Sequence, residues 1–318
     1  MEQTAQPSFD FPAYLEAKFA IDSASLNASL YKRFLEHLRH NVDLRVLDLG
    51  TGTGAMLRRI VELELPGQVQ LVGLDQEQQN LAAGVDRMER MLRDLGFNAV
   101  GKQQSEEVRS ICGKRKGSEV RIEFLRGDLL DRRTTDKLDP FDCITAHAFM
   151  DLMPLKRAVA VVRRLLKVDG LFYPTLNYDG LTVLIPEYRD AGFERRLLRI
   201  YNRSMEQRRN RGRKTGGALS GRRLYQALLE GGFSILGTGS SDWNVFPIGG
   251  AYNEEQKLFL TAILSMIEVE ARRHSAAGSG TNVDTKLLAR WHADRLEEVQ
   301  NHSLSLIVHQ LDLLAKPA

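Results

Sequence analysis

A glycine-rich turn between an apolar run and a helical pattern constrains this chain more than any other feature. Residues 44–49 are mostly apolar, with Asp48 near their end, which predicts a buried parallel strand. Gly50, Gly52 and Gly54 follow, and the apolar residues after them recur with helical spacing. Glycines let the backbone pass close to a ligand, and a helix N-terminus presents free N–H groups. Strand, turn and helix together predict a cofactor-binding loop, although glycine also serves ordinary tight turns.

Two further strands each end in an acid. Residues 69–74 form a largely apolar run that stops at Asp75, where a carboxylate can accept hydrogen bonds from the two hydroxyls of an adenosine ribose. A third strand over residues 120–125 leads into Asp128. This acid could accept from an adenine amino group, with Leu129 against the ring face. A turn-forming or helix-capping role for Asp128 is the alternative.

The next two strands bring polar side chains to the same edge. A fourth strand over residues 141–146 is followed by His147, and a fifth over residues 170–176 is followed by Asn177 and Tyr178. Open α/β sheets bind their ligands at the carboxyl ends of the strands. These three side chains are therefore the candidates for the acceptor side of a reaction. His147 is either a general base or a structural contact.

The segments that precede and interrupt these strands have their own patterns. Apolar residues at helical spacing over 9–40 predict one or two helices that cap the sheet. Lys18 lies there among apolar neighbours; it is either a snorkelling surface lysine or a lysine that points into a ligand site. The polar residues 97–118 predict a surface excursion.

The C-terminal part contains helices and one last apolar run. Residues 254–273 and 284–299 predict two amphipathic helices, joined by a flexible linker over 275–281. Residues 304–314 predict a final antiparallel strand, although a helix fits the same run almost as well.

In order and spacing, these motifs resemble the catalytic core of the class I S-adenosylmethionine-dependent methyltransferases over residues 44–177, less than half of the chain. The resemblance implies an α/β fold with a doubly wound, seven-stranded, mostly parallel sheet of Rossmann-like type, an N-terminal helical cap and helical insertions. It also implies that the glycine loop and Asp48 hold the methionine part of S-adenosyl-L-methionine, and that Gln76 flanks the adenosine. The implied cofactor-binding residues are Asp48, Gly50, Thr51, Gly52, Gly54, Asp75, Gln76, Asp128, Leu129, Ala146 and His147.

On this basis the chain divides into six segments. They are an N-terminal helical cap (1–42), a cofactor-binding core (43–180), a lid or substrate insertion (181–218), a return to the core (219–247), a helical insertion (248–300) and a terminal strand (301–318).

The predicted lid carries the main clue to the substrate. Its second half and the residues after it are rich in arginine over 195–223. Arginines at such a place could bind a carboxylate or phosphate, or nucleic acid. The fourth strand is not followed by the Pro-Pro-aromatic motif of amino-directed nucleic-acid methyltransferases. We therefore expect methyl transfer to O, N or C of a small, acidic metabolite, with an RNA methyltransferase using the 195–223 segment as one alternative.

A second alternative is an NAD-dependent oxidoreductase. Gly50, Gly52 and Ala55 also satisfy the dinucleotide-binding glycine pattern, and Asp75 would suit an NAD ribose. A dinucleotide enzyme would not need Gly54 or Asp48, which favours the methyltransferase. A non-enzymatic binding module is less favoured than either enzyme.

Composition narrows the remaining classes. The net charge of the 318-residue chain is only +3, from 44 basic and 41 acidic residues, so no global field marks a nucleic-acid or membrane binder. Cys112 and Cys143 form no zinc-type motif, which predicts neither a metal site nor disulfides and fits a reducing compartment. There is no signal-peptide pattern and no apolar run of about 18 residues. We expect a cytoplasmic protein, with the helical insertion as part of the lid or as a homodimer surface.

Overall fold

A large, mixed β-sheet forms the centre of the computed structural model, which describes residues 11–41, 43–276 and 283–318. In chain order the strands are β1 (Asp43–Leu49), β2 (Gly67–Asp75), β3 (Asn98–Gln103), β4 (Val108–Arg115), β5 (Ser118–Arg126), β6 (Phe141–His147), β7 (Leu166–Thr175), β8 (Asn177–Ile185), β9 (Arg209–Asn210), β10 (Arg213–Lys214), β11 (Phe233–Ser240), β12 (Trp243–Val245) and β13 (Ser305–Pro317). The small β9–β10 ladder stands apart from the main sheet.

The strand order gives the sheet a parallel centre and antiparallel flanks. The order is β11-β13-β7-β6-β1-β2-β5-β4-β3, and β8 and β12 also pair with β13. Strands β7, β6, β1, β2 and β5 run parallel to one another, whereas β13 is antiparallel to its neighbours. The predicted α/β fold with a Rossmann-like parallel centre is confirmed.

Helices cover both faces of this sheet. The helices are α1 (Phe11–Ser25), α2 (Ala28–Arg39), α3 (Ala55–Val61), α4 (Gln78–Asp94), α5 (Arg132–Thr135), α6 (Leu155–Leu165), α7 (Ala191–Gln207), α8 (Ser220–Glu230), α9 (Glu254–Ala276) and α10 (Thr285–Gln300). Side chains from α2, α3 and α4 share one apolar core with the sheet, and those from α6 and α8 share another. A third core joins α1, α7, α9 and α10 to β12 and the start of β13. The sheet is therefore doubly wound, with an additional helical layer.

Within the described residues the main sheet has eleven strands instead of the seven expected. Two of the four extra strands, β8 and β12, pair with β13, and the other two come from residues 97–118, which are not a surface excursion. They form β3 and β4, an antiparallel hairpin that extends the sheet beyond β5. In the outermost strand only Ala99 is buried. An edge strand with so little buried surface has the polar composition of a loop, which explains the wrong prediction.

The predicted lid also begins later than expected. Residues 177–185 form β8, which pairs with β13 as part of the sheet, so the insertion outside the sheet consists of α7 and the β9–β10 hairpin. The last apolar run is a strand, β13, and not a helix. Both helices predicted for the helical insertion are present as α9 and α10. Most of the predicted linker, residues 277–281, lies outside the described residues.

Candidate cofactor and acceptor site

The glycine loop between β1 and α3 has the backbone conformation that its sequence requires. Gly50, Gly52 and Gly54 have φ angles of +63°, +55° and +86°, a region that other residues rarely adopt. A Cβ atom at Gly50 would lie only 2.2 Å from Cδ2 of Phe149, which packs on the loop. The turn is closed onto the sheet, because the Gly50 amide donates to the Leu74 carbonyl over 2.8 Å. Glycine is therefore the residue that adopts the backbone conformation of this loop without strain.

Asp48 lies buried beneath the glycine loop. One carboxylate oxygen accepts a hydrogen bond from Thr51 Oγ1 over 2.7 Å and the other accepts from Thr145 Oγ1 over 2.7 Å. Burial raises the pKa of Asp48 to about 6, even though the two hydroxyl groups lower it. The two hydrogen bonds hold the carboxylate in one orientation, and its pKa of about 6 lies above the ordinary range of an aspartate.

Asp75 holds the glycine loop from the end of β2. Its Oδ2 accepts from the Gly52 amide and its Oδ1 from the Glu77 amide, each over 2.9 Å. Burial raises the pKa of this carboxyl group above its ordinary value. Each carboxylate oxygen can accept a second hydrogen bond, so the residue can also serve a hydroxyl-bearing ligand. The neighbouring Gln76 is exposed.

Asp128 forms both a turn and an ion pair. Its Oδ1 accepts from the Leu130 amide over 2.8 Å, as expected of a turn-forming acid. Arg211, in the β9–β10 turn, donates from Nε and Nη2 to Oδ2 over 2.9 and 2.7 Å. Leu129 is 2% exposed and packs in the apolar core on the side of α6 and α8. The lid hairpin therefore contacts the acid that the sequence assigns to adenine.

His147 is the centre of a buried polar network. Its Nε2 lies 3.0 Å from Oδ2 of Asp22, and its Nδ1 lies 2.7 Å from Oγ1 of Thr175. The same carboxylate binds Lys18 Nζ over 2.6 Å and accepts from Trp243 Nε1 over 2.9 Å. Lys18 is only 7% exposed, so the snorkelling interpretation is wrong and this lysine points into the protein. Residues from α1, β6, β7 and β12 meet here.

The charges in this network are fixed by burial and by Asp22. Burial alone would raise the pKa of Asp22, but Lys18 and His147 together lower it to about 2. Burial lowers the pKa of His147 to about 4, against the opposing effect of Asp22. At pH 7 the imidazole is neutral. Because Asp22 accepts a hydrogen bond, Nε2 carries the proton and Nδ1 accepts from the Thr175 hydroxyl.

The other two acceptor-side candidates, Asn177 and Tyr178, form their hydrogen bonds away from His147. Asn177 Nδ2 donates to the Leu311 carbonyl over 2.9 Å, and its buried Oδ1 has no hydrogen-bond partner within the described residues. Tyr178 donates from its hydroxyl to Asn202 Oδ1 over 2.8 Å. Among the described residues, no hydrogen bond joins either side chain to His147. The structure therefore does not gather the three predicted residues into one cluster.

Arg59 in α3 was not found from the sequence, although it lies one turn after the glycine loop. It is 4% exposed, and its Nη2 donates to Ser23 Oγ over 2.8 Å. Its Nε and Nη1 are buried and have no partner within the described parts of the chain. The guanidinium interacts electrostatically with Asp22 and Asp48. Unsatisfied guanidinium donors beside the glycine loop fit a cofactor that carries a carboxylate.

The described residues contain neither a metal-binding cluster nor a membrane-spanning helix. Over residues 11–41, 43–276 and 283–318, no group of three or more His, Cys, Asp or Glu side chains could hold a metal ion. Within the same ranges no helix is long and apolar enough to cross a membrane. Both cysteines are free.

Comparison with solved structures gives matches at low sequence identity. A candidate methyltransferase from Bacillus halodurans is 15% identical, with a TM-score of 0.48, covering 90% of this chain and 98% of that chain. An S-adenosylmethionine-dependent methyltransferase from Geobacter sulfurreducens, in complex with S-adenosyl-L-homocysteine, is 13% identical, with a TM-score of 0.43 and coverages of 95% and 98%. A similar complex from Thiobacillus denitrificans is 12% identical, with a TM-score of 0.42 and coverages of 94% and 98%. No family model matches the chain, and no curated protein matches it.

Proposed function

We propose that this protein is a methyltransferase that uses S-adenosyl-L-methionine and acts on O, N or C of a small, acidic metabolite. The observation that carries the proposal is the glycine loop itself, which is held by the buried carboxylate of Asp48 and the partly buried carboxylate of Asp75. Its three left-handed glycines give the turn the tight backbone conformation that a cofactor-binding loop of this type requires. The unsatisfied donors of Arg59 add a place for the carboxylate of the methionine part.

The proposed cofactor contacts follow the resemblance residue by residue. Asp48 and the loop would hold the methionine end, Asp75 the ribose and Asp128 the adenine, in the order in which β1, β2 and β5 lie in the sheet. When bound, the cofactor supplies a methyl group on a positively charged sulfur. Charge is lost rather than created during such a transfer, so the protein's own contribution is alignment and exclusion of water.

On the acceptor side, we propose that His147, with its imidazole uncharged, helps to position the substrate. Both ring nitrogens already have hydrogen-bond partners, so the residue is held in one orientation and one tautomer. Action as a general base would require Thr175 to release Nδ1. Asn177, with its unpartnered carbonyl oxygen, and Tyr178 remain acceptor-side candidates on position.

The two alternatives have less support. Five of the ten arginines in the 195–223 segment form ion pairs with carboxylates of the described chain, which reduces the charge available to RNA: Arg195, Arg208, Arg211, Arg222 and Arg223. A nicotinamide enzyme would leave the hydroxyl-bonded Asp48 without a role at the ligand. The cytoplasmic location and a homodimer through the helical insertion remain predictions.

The first experiment is calorimetric titration of the purified protein with S-adenosyl-L-homocysteine and, separately, with NADH. Saturable binding of the former alone supports the proposal. Binding of NADH alone would replace methyl transfer by hydride transfer.

Replacing Asp75 by alanine should weaken binding of S-adenosyl-L-homocysteine at least about tenfold, since hydrogen bonds to a charged group contribute about 1.5–3 kcal/mol each. The same change leaves the Gly52 and Glu77 amides without their acceptor, so a stability loss of about 1–3 kcal/mol should accompany it. Calorimetry and urea unfolding measure the two effects. Asp94→Ala, an exposed acid at the end of α4, is the control and should change neither. Unchanged binding in Asp75→Ala would show that this acid does not hold the ligand.

Replacing Arg211 by alanine should strengthen binding of S-adenosyl-L-homocysteine by up to about fivefold. The guanidinium competes with an adenine amino group for Oδ2 of Asp128, and a partly exposed ion pair of this kind contributes at most about 1 kcal/mol. Arg195→Ala removes a comparable lid arginine that pairs with Glu187 instead, and should leave the affinity unchanged. A lower affinity in Arg211→Ala would mean that the arginine contacts the ligand directly.

A further inference from the structure

A basic cleft of about 550 Å³ lies against the β9–β10 hairpin, whose turn residue Arg211 binds Asp128. Its walls come from the first residues of α6, the second strand of the hairpin and one side of α8. Five of its lining side chains are basic and one, Glu230, is acidic. The basic ones are Lys156, Arg157, Arg213, Lys214 and Arg223.

Most of this positive charge is not neutralised. Lys156 pairs with Glu230 over 2.8 Å, and Arg223 pairs with Glu206 over 2.8 Å. The other three basic side chains form no ion pair with any carboxylate in the described part of the chain: Arg157, Arg213 and Lys214. Elsewhere in the lid Arg195, Arg208 and Arg211 pair with carboxylates of the described chain. Four other lid arginines form no ion pair with a described residue, so the cleft holds only part of the uncompensated charge of this region: Arg196, Arg199, Arg203 and Arg209.

Backbone donors add to the charge. Helix α6 is 11 residues long, and its N-cap, Pro154, provides no side-chain hydrogen bond. The amides of Leu155 and Lys156 have no acceptor within the helix, as is normal for a first turn, and none among the other described residues. The first turn of α6 therefore forms part of the cleft wall, and it brings the positive end of the helix dipole and two free N–H groups there.

One residue of the cleft wall has a hydroxyl group without a hydrogen-bond partner among the described residues. Oγ1 of Thr215, which lines the cleft, is buried and has no hydrogen-bond partner in the described structure. Its neighbour Gly216 is fixed by a hydrogen bond from its amide to the Met153 carbonyl over 2.9 Å.

We propose that this cleft binds a phosphate-bearing small molecule. Phosphate offers several acceptor oxygens and up to two negative charges, which matches a set of convergent cations, free amides and a hydroxyl group. None of the cleft's lining residues, all of them described, is aromatic. Single-stranded nucleic acid sites use aromatic side chains for stacking, so a small ligand is favoured over a polynucleotide. The site is separate from the glycine loop, and the proposal does not depend on methyl transfer.

The test is calorimetric titration of the full chain, without cofactor, at about 150 mM salt, where diffuse surface attraction is screened. The probes are inorganic pyrophosphate and glycerol 3-phosphate, neither of which contains the adenosine that the proposed cofactor site would hold. We expect one saturable site, and the tighter of the two probes identifies an inorganic or an organic phosphate as its ligand. The double variant Arg213→Ala/Lys214→Ala should lower the affinity at least about tenfold, because it removes two charge-assisted contacts. Thr215→Val, which changes no charge, should lower it severalfold.

The matched control is Lys102→Ala/Lys286→Ala, which removes the same charge from exposed positions outside the cleft. It should bind like the unaltered protein. No saturable binding by either probe, or an equal loss in the control, would overturn the proposal. Tighter binding of a single-stranded 20-mer oligonucleotide that depends on Arg213 and Lys214 would assign the cleft to nucleic acid instead. Because S-adenosyl-L-homocysteine is absent from these titrations, the methyltransferase proposal stands or falls separately.

Discussion

Replacing Glu194 by alanine should lower the free energy of unfolding by about 3–5 kcal/mol, the cost of leaving a buried charge without its partner. Arg295 is 0% exposed and donates from Nη2 to both oxygens of Glu194, over 2.7 and 2.9 Å. Trp291 Nε1 donates to the same carboxylate over 2.8 Å. The variant strands a guanidinium in the third apolar core, with Glu298 and the Pro186 carbonyl as its remaining partners.

Urea unfolding followed by tryptophan fluorescence measures this loss, since Trp291 reports directly on the site. The matched control is Glu187→Ala, which removes another lid carboxylate but from an exposed pair with Arg195; it should cost less than about 1 kcal/mol. A loss in Glu194→Ala no larger than in the control would contradict the assignment. The pair joins α7 to α10, so the predicted lid and the helical insertion are parts of one packed body.

The sequence was sufficient to predict the parallel core, because its strands are apolar runs with polar residues or glycines after them. Asp48, the glycine turn and Asp75 lie where that pattern predicts, and β13 is the strand that the last apolar run indicates. The edge hairpin β3–β4 could not be recognised, because pairing with β5 on one side stabilises it without a continuous apolar face.

The network around His147 was beyond sequence reasoning for a different reason. Asp22 and Trp243 are 221 positions apart, and only the packing of α1 and β12 against the sheet brings them together. A local signal was nevertheless present. Lys18 and Asp22 are one helical turn apart on the buried face of α1, beside Ala17 and Ile21. Two opposite charges on an apolar helical stripe indicate a buried pair more often than a solvated one.

Asp48→Asn should change the free energy of unfolding, compared between low and neutral pH, by about 3 kcal/mol. Burial raises the pKa of Asp48 from 3.8 to about 6, so the folded state binds a proton that the unfolded state releases between these values. The stabilisation from this group is complete below pH 4 and is lost as the pH rises through 6. A shift of about two pKa units corresponds to about 3 kcal/mol. Asparagine does not titrate, so the variant should gain that amount relative to the unaltered protein between pH 4 and 7.

Because His147 also titrates in this range, the Asp48→Asn variant should differ in the slope of the free energy of unfolding against pH. Its pKa is lowered from 6.5 to about 4, so the unfolded state binds the extra proton between these values and stability rises with pH. In the unaltered protein Asp48 and His147 therefore oppose each other between pH 4 and 6. Without Asp48, the rise due to His147 should dominate, as urea unfolding at half-unit steps of pH would measure. The exposed Asp94→Asn should run parallel to the unaltered protein. If Asp48→Asn did so as well, the carboxyl group would not be held in the buried, partly protonated state that its two threonine contacts and its position under the glycine loop imply.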